Sequence, residues 1–361
     1  VKTLYVTCIR RTHLGNEHAQ VRWIRGEDGE LKPDFTVAEK YLDVATKYLG
    51  TIQGVILYAW EPPESQGHAG GAGTAGRTYD KPALITVYDP KTDKQAARQG
   101  PAWGTPEAPV FWKKLSDGIK PILQKRGLES NMLFGLTGDA RPTKQAMDDI
   151  SNGVGPTAKW AVHSHYYCDK WQGYDMGMVI ALWGIGCNPI DPSSGYCFGW
   201  SNPLWLCYYP RPMKLQSSLV DHRLTIENWL GAKPGYTAFV CKGKGARGVG
   251  RIGADFWPVL KDERGRVAGS LAGRFPEAAW GQLNLNFCIP YLLGRGKNGP
   301  VPTVRSESFR ENIQEVEARV YIEKVLLEDD VKTVLGEDLQ KRCREALDQR
   351  IRMCLYSPVE G

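Results

Sequence analysis

Asp139 and Glu61 each stand just past an apolar run, in MLFGLTGDARP and VILYAWEPP respectively. An apolar run broken by Gly, Asp or Pro reads as a buried β-strand ending at a turn, and parallel α/β folds put their chemistry at that carboxyl end. Two carboxylates on different strand ends are the minimum set for glycoside hydrolysis: one donates a proton, the other stabilises positive charge or serves as base. Asp139 is assigned the charge-stabilising or basic role and Glu61 the general acid. A third strand-like run, TAKWAVHSHYY, ends in His163, His165 and Tyr166. Alternate strand residues share a side, so the two imidazoles can face one ion, but a complete metal site needs further ligands. The chain has only six His, the other four in unrelated contexts. His163 and His165 are therefore read as substrate-positioning groups with no metal, and a metal-dependent hydrolase built on them stands as an alternative.

Aromatic residues sharpen the substrate class. Of twelve Trp, Trp60, Trp160, Trp183 and Trp257 lie in or beside expected strand ends, where an indole can stack on the apolar face of a pyranose. Trp60, Trp160, Tyr166, Arg141 and Asp255 join the two histidines as the expected carbohydrate-binding set. Arg211, Arg247 and Arg251 are either solvated surface residues, the commoner case, or contacts for an acidic or sulfated sugar. No cofactor is expected. The chain has no G-x-x-x-x-G-K-[ST] loop. Gly243, Gly245 and Gly248 spell G-x-G-x-x-G, but VGRIGADFW after them does not read as the helix whose N-terminus a pyrophosphate needs. The glycine-rich stretch QGHAGGAGTAGR, residues 66–77, is either a lid or a solvated insertion.

The elements that must position these groups alternate. Strands are expected at Thr3 to Ile9, Gly54 to Trp60, Ala83 to Tyr88, Met132 to Leu136, Lys159 to His163, Met176 to Trp183, Leu204 to Tyr209 and Tyr236 to Cys241. Helical periodicity fills several gaps, over Val37 to Leu49 and Phe111 to Lys125. This number of βα units makes the fold class α/β, a TIM-like (β/α)8 barrel with additional C-terminal helices, with a doubly wound open sheet as runner-up. The barrel is assigned residues 1–300. Residues 301–361 are assigned to helices packed on it: Phe309, Ile313, Val316, Val320 and Leu327 fall on one helical face, and Gly336 marks a break before a second helix.

Composition excludes several classes. At 42% hydrophobic and 24% charged residues the chain is neither disordered nor a membrane type, and no stretch approaches the roughly 18 apolar residues of a membrane span. The formal charge of +6 comes from scattered Lys and Arg rather than a basic run, so no nucleic-acid partner is expected. Nine Cys, odd in number and without a C-x-x-C pair, imply neither a zinc site nor a disulfide framework. The chain opens within a strand and without Met, as a mature or excised piece would.

The segment VPTVRSESFRENIQEVEARVYIEKVLL resembles the closing segment of barrel enzymes related to glycoside hydrolase family 123, in which an R-x-E-x-x-R-E-G-x-x-D/E-x-E pattern opens the last helix. Arg305, Glu307, Arg310, Glu311, Glu315 and Glu317 match it, and Asn312 replaces the usual Gly. The preceding GRVAGSLAGRFPEAAWGQLNLNFCIPYLLGRGKNGP is similar to the family's passage into its final barrel elements. The resemblance implies a TIM-like barrel, a carbohydrate substrate, an exported protein, and an Asp-Glu dyad that recruits the substrate acetamido group. The dyad's best local match is Gly138, Asp139, Ala140, Arg141, Pro142. Ala140 occupies the second acid's place, which leaves three readings: another acid such as Glu61 supplies the proton, the chemistry differs, or the barrel binds glycans without cleaving them.

Overall fold

Runs of apolar residues in the first half of the chain build one parallel sheet. The structure is a computed structural model, which describes residues 3–12, 14–61, 78–79, 81–137, 140–164, 170–181, 204–207, 248–250, 257–270, 293–303, individual positions between 306 and 326, and 329–356. In chain order the strands are β1 (Thr3–Thr7), β2 (Arg22–Arg25), β3 (Leu31–Asp34), β4 (Gly54–Tyr58), β5 (Thr78–Tyr79), β6 (Leu84–Asp89), β7 (Lys94–Gln99), β8 (Met132–Thr137), β9 (Arg141–Pro142), β10 (Trp160–Ser164), β11 (Lys170–Trp171), β12 (Tyr174–Ala181), β13 (Leu204–Cys207), β14 (Gly248–Gly250), β15 (Pro258–Lys261), β16 (Val267–Ser270), β17 (Leu293–Gly296) and β18 (Gly299–Pro302). The helices are α1 (Thr36–Tyr48), α2 (Glu107–Gln124), α3 (Lys144–Ser151) and α4 (Asp329–Tyr356).

The chain divides into two units, the first comprising Val1–Gly177 with Pro258–Asn284, the second Met178–Trp257 with Leu285–Gly361. In the first unit the main sheet runs β1-β4-β8-β10-β12, with β11 paired to β12. The pairings of β1 with β4, β4 with β8 and β8 with β10 are all parallel. Spatial order follows chain order, so these strands contain no switch point of the kind that defines a doubly wound sheet. All five residues of β4 are buried, as expected of a strand covered on both faces.

Register fixes which side chains share a face. Leu57 pairs with Phe134, and Phe134 with Trp160. That face carries helix: the Trp160 indole N–H donates to Ser151 Oγ of α3 at 3.0 Å. Thr7, Tyr58, Gly135 and Ala161 form the next row, on the opposite face. Gly135 is required there, because a Cβ on it would lie 2.1 Å from Ile56 Cγ2 and 3.0 Å from the Ala161 carbonyl.

A second sheet in this unit, in the order β3-β2-β6-β7, departs from expectation. The run Ala83 to Tyr88 is a strand, β6, but it pairs with β2 and β7 instead of joining the main sheet. Its apolar side chains are covered elsewhere: Trp23 of β2 stacks on Phe111 of α2 with ring centroids 3.7 Å apart, and Ile85 is fully buried.

In the second unit the end of β12 pairs in parallel with β13, and β13 with β14. Gly248–Gly250 is therefore strand, not the start of a helix, which removes the dinucleotide reading of the glycine motif. The expected strand Tyr236 to Cys241 lies outside the described residues. Ser306, Glu307, Arg310, Glu311, Gln314, Ala318 and Tyr321 are helical, and all but the partly covered Ser306 are exposed, while Val325 and Leu326 are buried. These are the outer positions of the expected amphipathic helix. The apolar positions Phe309, Ile313, Val316, Val320 and Leu327 lie outside the described residues. α4 is broken at Gly336, whose φ of 72° is left-handed, so the glycine ends one helix and starts the next as its sequence position implies.

Candidate functional site

Glu61 sits three residues beyond the last residue of β4, and the strand fixes where it leaves the sheet. Cys8 N–H donates to the Tyr58 carbonyl at 2.9 Å and Ala59 N–H to the Gly135 carbonyl at 3.3 Å, so ladder bonding continues past Tyr58 on both sides. Glu61 is half-buried. Its Oε2 accepts a hydrogen bond from the hydroxyl of Tyr58, whose ring is fully buried and lies 6.2 Å from that of Tyr5.

The neighbouring strand β8 ends at Thr137, two residues before Asp139 in sequence. Asp139 itself lies outside the described residues. The chain immediately after it is tied down: Ala140 is fully buried, and Arg141 and Pro142 pair with Thr78 and Tyr79 as β9 against β5. The Pro142 carbonyl accepts from the Trp171 indole at 2.9 Å, and Thr143 caps α3 by accepting from the Ala146 N–H. Arg141 is 2% exposed, with Nη1 donating to the Ala140 carbonyl at 3.1 Å. A guanidinium buried this deeply is held by the protein rather than presented to solvent.

His163 lies in β10, in register with Thr137. The ends of β4, β8 and β10 thus lie side by side along one carboxyl edge, in the first unit. His165, Tyr166 and Asp255 lie outside the described residues, as do Trp183, Arg211, Arg247, Arg251 and the loop at 66–77. The two tryptophans are not stacking platforms in this structure. Trp160 is 0% exposed, with Phe134 and Tyr174 rings at 5.5 and 6.4 Å. Trp60 is 1% exposed. Trp257 donates to the Leu293 carbonyl at 2.9 Å, a packing contact within the second unit.

Sequence reasoning missed two features of this edge. One is Tyr58, which carries no signal in the sequence because a tyrosine inside an apolar run reads as core. The other is the turn after β1. There the buried Arg10 donates to Glu17 through Nη2 to Oε1 at 2.6 Å and Nε to the carbonyl at 2.9 Å. Burial pushes the Glu17 carboxyl up, but the hydrogen bond from Arg10 and the charges of Arg11 and Arg10 outweigh it and hold it below the ordinary carboxylate value. Arg11 in the same turn has φ of 50°, a left-handed conformation uncommon for a residue with a Cβ. Cys8, also at the end of β1, is no nucleophile: burial pushes its thiol far up, and Sγ donates to the Val6 carbonyl at 3.5 Å. Among the described residues no group of three or more His, Cys, Asp or Glu is arranged to hold a metal ion, and no helix is long and apolar enough to cross a membrane.

A cleft of about 270 Å³, lined by Lys120, Glu129, Met132, Phe134 and Lys159 among others, opens at the amino ends of β8 and β10. That is the edge opposite the carboxyl ends of β4 and β8, and in parallel α/β barrels it serves stability rather than chemistry.

No protein-family model and no curated protein matches the chain. Among solved structures, its fold is similar to that of a family 123 glycoside hydrolase from Clostridium perfringens, in a structural study of glycolipid glycan hydrolysis. The TM-score is 0.54 at 13% sequence identity, and the match covers 98% of this chain. The chain spans 62% of the length of that protein. This is the family that residues 305–317 resemble, and the likeness in structure is one of fold.

Proposed function

We propose that the chain is a glycoside hydrolase-like protein that cleaves a glycosidic bond in a glycan, with Asp139 and Glu61 as its carboxylate pair. The observation that carries this reading is that the strands leading to these two acids, β8 and β4, are hydrogen-bonded parallel neighbours whose carboxyl ends share one edge. Adjacent strand ends suit the roughly 5–10 Å that separates the two carboxyls of glycosidases. The fold likeness to a family 123 enzyme and the chain-order progression of the parallel sheet support reading this α/β fold as TIM-like.

In this mechanism Glu61 gives a proton to the leaving-group oxygen. Asp139 stabilises the positive charge that develops at the sugar or orients the group that attacks it. His163 and His165 position substrate hydroxyls, joined by Tyr166. Arg141, being buried, acts on the charge of the site rather than by touching sugar. Glu61 takes the role that the residue at 140, an Ala, cannot fill.

The test is sugar release from N-acetylhexosamine-containing glycans by wild type, Asp139→Asn and Glu61→Gln. Each variant is expected to lose about 10²-fold or more in kcat with Tm nearly unchanged. Loss of folding in Asp139→Asn would assign that residue to structure. Ala140 favours a second reading, a glycan-binding barrel without catalysis. Under it, glycan binding persists while no reducing sugar is released from any substrate.

A further inference from the structure

We infer that Tyr58 is a positioning residue for Glu61, holding its carboxyl group through Oε2; this rests on the reading of Glu61 as the proton donor. The hydroxyl of Tyr58 donates to Oε2 of Glu61. In the reaction step the carboxyl O–H bond of Glu61 breaks and a bond from that hydrogen to the glycosidic oxygen forms, as the bond from that oxygen to the anomeric carbon breaks with its electron pair going to the oxygen and positive charge developing at the carbon. Glu61 ends as a carboxylate whose Oε2 still accepts from Tyr58.

The anchor is rigid for reasons visible in the sheet. Tyr58 stands in the middle of three hydrogen-bonded parallel strands, level with Thr7 on one side and Gly135 on the other. Its ring is fully buried. Gly135 beside it, and Ala161 beyond, are small residues in the same row. A ring held by packing places its hydroxyl with little freedom, whereas Glu61, three residues past the strand, has rotatable bonds to spare. Holding a proton donor within a fraction of an ångström is worth up to about 10²-fold in rate.

Tyr58→Phe keeps the ring and removes only the hydroxyl. On a glycan with a poor leaving group it is expected to lower kcat about 10- to 100-fold, with KM within about twofold and Tm within a few degrees. On a dinitrophenyl glycoside, whose leaving group needs no proton, the loss is expected to shrink to a few-fold. A Tyr58→Phe/Glu61→Gln double variant is expected to be no slower than Glu61→Gln, since both act through one carboxyl. Equal losses on both leaving groups, or a Tyr58→Phe enzyme as fast as wild type while Glu61→Gln is slow, overturns the role of Tyr58 and leaves that of Glu61. A Glu61→Gln enzyme as fast as wild type removes both. If wild type cleaves no glycan, crystal structures decide: a displaced or multiply placed Glu61 carboxyl in Tyr58→Phe supports positioning, and an unchanged one overturns it.

Discussion

Half-buried Glu17 and buried Asp149 respond to pH in opposite directions. Glu17, held low by Arg10 and Arg11 against the push of burial, contributes stability that is present above its unfolded value and lost as pH falls through the folded one. Removing it strands Arg10, whose side chain is 5% exposed. Glu17→Ala should therefore cost about 3 kcal/mol near neutral pH, with the deficit narrowing in acid, as read by urea unfolding across pH. Asp149 goes the other way. Burial raises its carboxyl above the ordinary value, the Gly104 N–H at 2.7 Å offsets part of that, and Asp148 adds to it. A raised acid is at no disadvantage below its unfolded value and destabilises the fold once pH rises through the folded one. Asp149→Asn retains an oxygen for the Gly104 N–H and should raise Tm by about 1–3 °C at pH 7 but not at pH 3, measured by calorimetry. Glu61 was legible in the sequence because an acid ends its apolar run. Tyr58 was not, because a buried tyrosine within such a run reads as core, and whether Trp160 faces helix or ligand depends on register, which a single strand's sequence does not carry.

At the scale of elements, apolar runs announced the strands and their partners decided the sheets. β1, β4, β8 and β10 appear within two residues of where alternation and turn residues put them. β6 reads the same way, as LITVYD, yet joins another sheet because β2 and β7 offer it hydrogen-bonding edges. Neither neighbour was legible. β2 is only four residues long, and β7, KQAARQ, is exposed at all six positions and so carries no apolar alternation. Gly135 ties the elements to the site, since it lets β4 and β10 crowd β8 on the face that carries Tyr58. Gly135→Ala should cost about 1–3 kcal/mol in denaturant unfolding. If the proposed hydrolysis takes place at this edge, the substitution should also slow it beyond what stability explains, because Ile56 of β4 is what the new methyl would strike.

For the whole molecule, the discriminating question is what binds it. A ligand that binds only the folded chain stabilises it by mass action, about 2.7 kcal/mol when present at a hundred times its Kd. If the proposed reading holds, an N-acetylhexosamine-containing glycan at that excess should raise Tm by about 3–4 °C. If Glu61 is the proton donor, Glu61→Gln leaves the glycan unconsumed and is the form in which to measure it. The same shift in wild type without sugar release marks a binder. A metal-dependent hydrolase built on His163 and His165 gives a different pattern: chelator then lowers Tm and abolishes turnover, and elemental analysis finds stoichiometric metal. Under the carboxylate mechanism EDTA changes neither, since the proton comes from Glu61 and the charge is met by Asp139. Glycan-induced stabilisation that survives EDTA but falls in Asp139→Asn would place the sugar at the edge where β4 and β8 end, because no other part of the mechanism gives that residue a reason to sense it.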